Sequence, residues 1–572
     1  MRFLRTVRHL GMRQIATRAA RVAERAWWRV TNAAAPTAPD VQLRVHEPLW
    51  RTLAEDERAL NRAVEVMAGR FTFLGETRVR SWAAGDASHL WRFHLHYFDY
   101  ARDLAIFALH RDRASAYGAF RELAASWIGV HPRLGGDAWH PYTVSLRIVN
   151  WCEAAVVFGP ELEHDADFAA RLYQSIAAQA QFLSRHIEHD VRGNHVLENA
   201  RALLRAAAFF EGHAPQNWRR LAMALLEREI PEQILSDGGH FERAPGYHVR
   251  VMEVMADVAI LEAGSSVPRS SSEATHPEEL RGTRNPEELT HRMRAFLEII
   301  TPPNGRLPLF KDTVLPDTPV ELHAPQTSRW LESSGYAVMR DDARGDHLIA
   351  DFGRVCPDYL PAHAHADMFS YELTIGGRPA VVDSGVFEYA EGEWRTWFRS
   401  TAAHNTVGVD GRDQSEMWGS FRVGRRARVV RATWSETPER TTIDGTHDGY
   451  APLLHRRVIT ALHEPRLWLV LDRLSGAAGH TARSFIHLHP GHPQLAFTPL
   501  GPVTVSETGG WCSEHFGVKR TNRVIVLTAT TPAWFGYVIA AGETAPNATI
   551  REEGDEVVIG IATAGWQGEV RI

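Results

Sequence analysis

Lysine is nearly missing: of the 63 basic residues in this chain of 572, only Lys311 and Lys519 are lysines. The remaining positive charge is arginine, whose planar fork suits carboxylate and sulfate recognition. Cysteine is as sparse. Cys152, Cys356 and Cys512 are odd in number and far apart, so neither a disulfide framework nor a cysteine zinc site is indicated, and they read as small buried apolar residues. No apolar run reaches the roughly 18 residues that a membrane-spanning helix needs. There is no basic surplus either, since the net charge is −6, which argues against a nucleic-acid partner. HExxH, GxSxG and a Walker lysine are all absent, leaving the zincin, nucleophile-elbow and P-loop readings without footing.

The length and a hydrophobic fraction of 44% allow two or three domains with sizeable cores. The first residues, MRFLRTVRHLGMRQIATRAARVAERAWWRV, are Arg-rich, with apolar residues at helical spacing and without the apolar core or cleavage site of a signal peptide. The expectation is a basic helical segment over 1–50, either packed on its own domain or in peripheral contact with an anionic membrane. With no signal peptide seen, a cytoplasmic or membrane-peripheral location is favoured, the periplasm being the alternative.

From about Arg51 to Ile300 the period is helical. In DADFAARLYQSIAAQAQFLSRHI, Phe168, Leu172, Ile176, Leu183 and Ile187 share one stripe behind an Asp165 cap. Similar stripes recur around 98–110, 114–128, 143–158, 197–211, 218–229, 246–263 and 289–300, so roughly eight successive helices without interleaved strands predict a layer of helical hairpins. The Ser/Pro/Glu-rich stretch 263–288 reads as a mobile insertion. After about Gly335 the period becomes two, and SYELTIGGRPAVVDSG reads as strand, Gly-Gly turn, strand. The division expected is 1–50, then a helical 51–335, then an antiparallel 336–572.

The strongest local signal is PAHAHADMFSYELTIGGRPAVVDSG. If the segment is extended, His363, His365 and Asp367 project on one face, able to hold a metal, a proton-transfer pair, or both. Asp383 ends the return strand, and His404 can supply another imidazole with donors that suit zinc. In the helical half, Asn194, His195 and Glu198 open one helix, where polar residues often serve as caps. Tyr247 heads another helix after Ala244-Pro245-Gly246, where a tyrosine is more often a packing residue than an acid or base. Two aromatic runs, one with Trp91 and His96, the other with Trp139, Tyr142, Arg147 and Asn150, combine indole, phenol and guanidinium as a sugar-binding wall does, although core packing explains most of the 18 tryptophans equally well.

Taken in order, NH at 194–195, GYH at 246–248, HAHAD at 363–367, SYEL and VDSG, HNTV at 404–407, HDGY at 447–450 and HRR at 455–457 resemble the heparinase II/III-like polysaccharide lyases, alginate lyases among them. The resemblance runs from about Trp91 to Pro490. It implies an N-terminal (α/α) toroid of helical hairpins followed by an antiparallel β-sandwich, and β-elimination on a uronate-containing, acidic polysaccharide. By the same resemblance Asn194 or His195 neutralises the substrate carboxylate, and Tyr247 and His363 share the base and acid roles. Trp91, His96, Trp139, Tyr142, Arg147, Asn150 and Glu198 fall to substrate binding. His365, Asp383 and His404 resemble ligands of a structural zinc ion, calcium suiting two imidazoles less well; the roles of His363 and His365 can be exchanged. Without a signal peptide, the branch associated with bacterial exopolysaccharide or capsule assembly is the better match. Two rivals stand beside this reading. A metal-dependent glycan hydrolase needs a carboxylate pair across the scissile bond; a non-catalytic glycan-binding assembly factor needs neither Tyr247 nor His363.

Overall fold

The computed structural model describes residues 2–44, 53–263, 285–554 and 556–572. The expected insertion at 263–288 therefore lies almost wholly outside the described residues, although Pro286–Ile300 is helical. The chain divides into two compact units. A helical unit holds Leu10–Gln233 and Arg250–His291, and a sheet unit holds Met1–His9, Ile234–Val249 and Arg292–Ile572.

In the helical unit, inner and outer helices alternate along the chain. Pro141–Val157 and Asn194–Phe209 are buried almost all round. The helices beside them in sequence, Arg113–Val130, Ala166–Arg185 and His213–Gln233, bury one stripe each, as the periodicity predicts. Two of these starts are set by short polar side chains that accept from N–H groups lacking helical partners. Asp165 accepts from Phe168 N, as expected, and Asp112 accepts from Ala114 N and Ser115 N. The run is not wholly free of strands, because Arg70–Phe73 and Glu76–Val79 form a short hairpin.

The sheet unit is antiparallel. Five strands from Arg329–Leu331 to Arg378–Val381 pair in chain order, a six-stranded sheet contains Arg440–Tyr450, Leu453–Leu462 and Leu467–Ser475, and a four-stranded sheet contains Thr481–His487 and Val518–Thr530. One apolar core joins all three through Leu348, Tyr371 and Leu373, through Ile459, Val470 and Tyr537, and through Ile486 and Leu527. The Gly-Gly turn is as expected: Gly376 and Gly377 adopt φ of 57° and 73° between Tyr371–Ile375 and Arg378–Val381, a left-handed pair that glycine adopts at little steric cost.

Within this sandwich the HDGY and HRR motifs have a structural use. His447 pairs across the strands with His455, and Arg457 with Asp472. All four are fully buried. Arg457 grips both Asp472 oxygens at 2.7 and 2.8 Å and donates to the Phe369 and Asn405 carbonyls, while His455 bridges Asp472 and His447.

Two expectations change. Residues 361–370 are irregular rather than a strand, so His363, His365 and Asp367 do not share a pleated face. Tyr247, expected in the helical domain, belongs to the sheet unit. The cause is a set of ties: Arg243 donates to Ser334 O and accepts from Tyr336 Oη, Asp237 accepts from Ser334 N, and Gly246 N donates to Thr313 Oγ1.

Candidate active site

The first turn of Pro245–Ala263 carries Tyr247. Its ring stacks on His363 at 3.7 Å between centroids, and its hydroxyl lies 3.1 Å from that of Tyr389. His363 Nδ1 is 3.0 Å from Asp312 Oδ2, and its Nε2 is 3.4 Å from Glu242 Oε2. The other Asp312 oxygen meets His365 Nε2 at 2.9 Å, and the Arg395 guanidinium binds both oxygens.

Asp312 is thus the hub. Burial opposes its ionisation, yet the Arg395 charge and the bonds from His363 and His365 hold its carboxyl well below the usual range. An ionised Asp312 accepts Nδ1–H of His363 and so sets the tautomer, leaving Nε2 for proton exchange. Arg395 is itself fixed by Ser420 O and lies 4.9 Å from the Tyr389 ring centroid. Tyr389 is pushed well above the ordinary phenol value by burial and by the nearby Asp312 charge. It stays protonated at neutral pH and can donate to the Tyr247 oxygen.

Asp367 points elsewhere, to Lys311, which also binds Asp351. Asp383 accepts from Gly385 N, and its other oxygen is 2.8 Å from His404 Nδ1. Burial opposes the charge on each of this pair, and each partner restores it: Asp383 is lowered and His404 raised. His365 is 5.2 Å from His404 between ring centroids, and burial drives its pKa down to about 3. His365 Nδ1 and His404 Nε2 are both buried without a hydrogen-bond partner, which suits a pair of metal donors. As arranged, no set of three or more His, Cys, Asp or Glu side chains among the described residues forms a metal cage. Asp383 instead sits behind the His404 ring, the position of a supporting carboxylate.

In the helical unit, Gly193, with φ of 59°, precedes Asn194, the first residue of its helix. His195 Nδ1 is 3.0 Å from Glu188 Oε1, and its ring lies 4.2 Å from Tyr142. Glu188, despite burial, is held at about 2 by His195, His140 and Asn199. The aromatic runs are largely interior. Trp91 is fully buried and donates to Glu76 O, Trp139 donates to His131 O, and His96 accepts from Trp127 Nε1. Arg147 is spent on Gln179 and the His96 and Ala138 carbonyls, Asn150 on Tyr97 O and Asp99, and Glu198 on Arg201 and Arg250. Of the expected sugar-binding set, Tyr142 is the one that is only partly buried. Sequence reasoning missed Asp312, Glu242, Tyr389 and Arg395. Glu242 stands in the same run as GYH; the others carry no motif, and only charge type singles out Lys311-Asp312.

The chain belongs to the heparinase II/III-like family: the heparinase II/III N-terminus profile matches residues 71–327 and the heparinase II/III-like C-terminal profile residues 323–557. Among curated relatives, a heparin-sulfate lyase of Pedobacter heparinus is 25% identical over 59% of this chain and 52% of its own length, and one of Bacteroides stercoris is 23% identical over 68% and 62%. The chain thus spans a little over half the length of these relatives. The crystal structure of heparinase III superposes with a TM-score of 0.72 at 17% identity, covering 96% of this chain and 94% of the other. That likeness shows the fold, a helical toroid followed by a β-sandwich.

Proposed function

We propose that the protein is a polysaccharide lyase that cleaves a uronate-containing glycan by β-elimination. The observation that carries this reading is the stacked Tyr247–His363 pair, with a protonated phenol on one member and an ionised carboxylate on the other. The names of the curated relatives support the same chemistry on an acidic glycan. One member of the pair takes the C5 proton, the C–H electrons become the C4–C5 double bond, and the C4–O4 bond breaks as the other member protonates the departing oxygen. Asn194 or His195 is proposed, from motif order, to receive the substrate carboxylate, whose charge must be offset for C5 to lose a proton. A bacterial exopolysaccharide or capsule is the proposed context.

A structural zinc ion at His365 and His404, with Asp383 in support, is part of this reading; two buried unpartnered imidazole nitrogens favour it. When bound, it would tie loop to strand end.

The test is a panel of acidic polysaccharides followed by ultraviolet absorbance, since elimination creates a 4,5-unsaturated uronate and hydrolysis does not. Absorbance should rise with at least one uronate glycan, and Tyr247→Phe should abolish the rise while keeping the melting temperature. Reducing ends without absorbance would instead establish a hydrolase. An unchanged rate in Tyr247→Phe would remove the proposed mechanism.

A further inference from the structure

The helix Met12–Thr31 lies on the helical unit with its polarity reversed. Its inward side is made of Gln14, Arg21, Glu24 and Trp28. Trp28 packs on Phe182 and His186, Arg21 donates to Ile187 O and to Glu24, and Glu24 binds His186 Nε2. At about 3.6 residues per turn, the opposite line runs through Met12, Ala16, Ala19, Ala23, Ala26 and Val30, with Val22 and Trp27 at its shoulders, and all of these are exposed. Met12 is 80% accessible, Val22 66%, Trp27 65% and Val30 83%. A helix docked on a soluble domain ordinarily does the reverse.

Arginines border this apolar face, Arg13 on one flank and Arg18, Arg25 and Arg29 on the other, all exposed. The helix has one acidic residue, Glu24, and it faces inward, paired with the Arg21 guanidinium and hydrogen-bonded to His186. We propose that this face is an interfacial membrane anchor that lays Met12, Val22, Trp27 and Val30 into the headgroup boundary of an anionic bilayer while its arginines reach lipid phosphates. A tryptophan among aliphatics with a basic rim is the composition of such helices, and arginine side chains are long enough to keep their charge in water above buried apolar neighbours. Charge complementarity selects this occupant over a second copy, because two such faces would bring like-charged rims together. No described helix is long and apolar enough to cross a membrane, so the contact is peripheral. The inference is independent of the lyase chemistry.

Cosedimentation of the full chain with phosphatidylcholine vesicles, with and without phosphatidylglycerol, tests it at low and high salt. The expected result is pelleting with the anionic vesicles at low salt that falls several-fold at high salt, in a Trp27→Glu/Val30→Glu variant and in an Arg18→Glu/Arg29→Glu variant. Since these side chains are exposed, both variants should keep the wild-type melting temperature. Three results would overturn the proposal: no pelleting at low salt, undiminished pelleting by the Trp27→Glu/Val30→Glu variant, or self-association in sedimentation velocity that this variant abolishes, which would make the occupant a second copy.

Discussion

Tyr389→Phe removes one hydroxyl from the site and nothing else. That hydroxyl lies 3.1 Å from Tyr247 Oη and is kept protonated, first by burial and then by the Asp312 charge, so it is the donor whenever Tyr247 bears negative charge. A hydrogen bond to an ionised partner contributes about 1.5–3 kcal/mol, and about 1.4 kcal/mol is a factor of ten in rate, so the variant should lose about 10- to 150-fold in kcat. With Tyr247 as the member that protonates O4, its negative charge develops only as the proton moves, so KM should change little. The ring keeps its contacts with Phe421, Phe516 and Arg395, so the melting temperature should hold. The assay is the initial rate of unsaturated-product absorbance on a glycan that the wild type cleaves, paired with a thermal melt. Wild-type kcat in this variant, or a defect confined to KM, would refute the assignment of Tyr389 as the donor to Tyr247.

Asp472→Asn should destabilise the sheet unit by about 3–5 kcal/mol, because it strips the partner from a buried guanidinium; a melting temperature within error of wild type would contradict this. Acid should destabilise the whole protein. Burial holds His96, His248 and His347 at about 3 against 6.5 when exposed, so the unfolded chain binds more protons below 6.5, stability is complete above that pH, and it drains away as pH falls toward the folded values. A melting temperature flat on acidification would sink this account. His365→Ala and His404→Ala should each lower zinc content per chain and thermal stability together, checked by elemental analysis and melts; full zinc occupancy in both would place the metal elsewhere, and a wild-type chain without zinc would remove it.

The two halves of the fold were legible because each rests on a local rule. Helices that bury one stripe write a 3.6 period, as around Phe168 and Leu172, and the Gly376-Gly377 turn is dictated by its two left-handed residues. Motif order also picked out Tyr247 and His363, since both stand in runs of unusual composition. The extended form assumed for His363–Asp367 failed for a nonlocal reason: Asp312 and Lys311, more than 50 positions upstream, draw alternate side chains of that loop to different partners.

What is legible in the chain order by itself is therefore the succession of helices and strands, and the Tyr247 and His363 motifs to which the proposed proton transfers are assigned. Only tertiary structure decided their surroundings. Asp312, Arg395 and Tyr389 carry no motif, because a buried charge takes its partner from whatever element packs against it, and the cost of desolvation is met in space rather than in sequence. The same holds for Trp91, Trp139 and Arg147. Their composition suits a sugar wall, but the packing of the inner helices placed them in the interior, where each polar atom found a partner of the protein itself. The outward face of Met12–Thr31 was likewise beyond periodicity, since an apolar stripe shows that a helix has two sides and only contacts with Phe182, His186 and Ile187 show which one is turned to solvent.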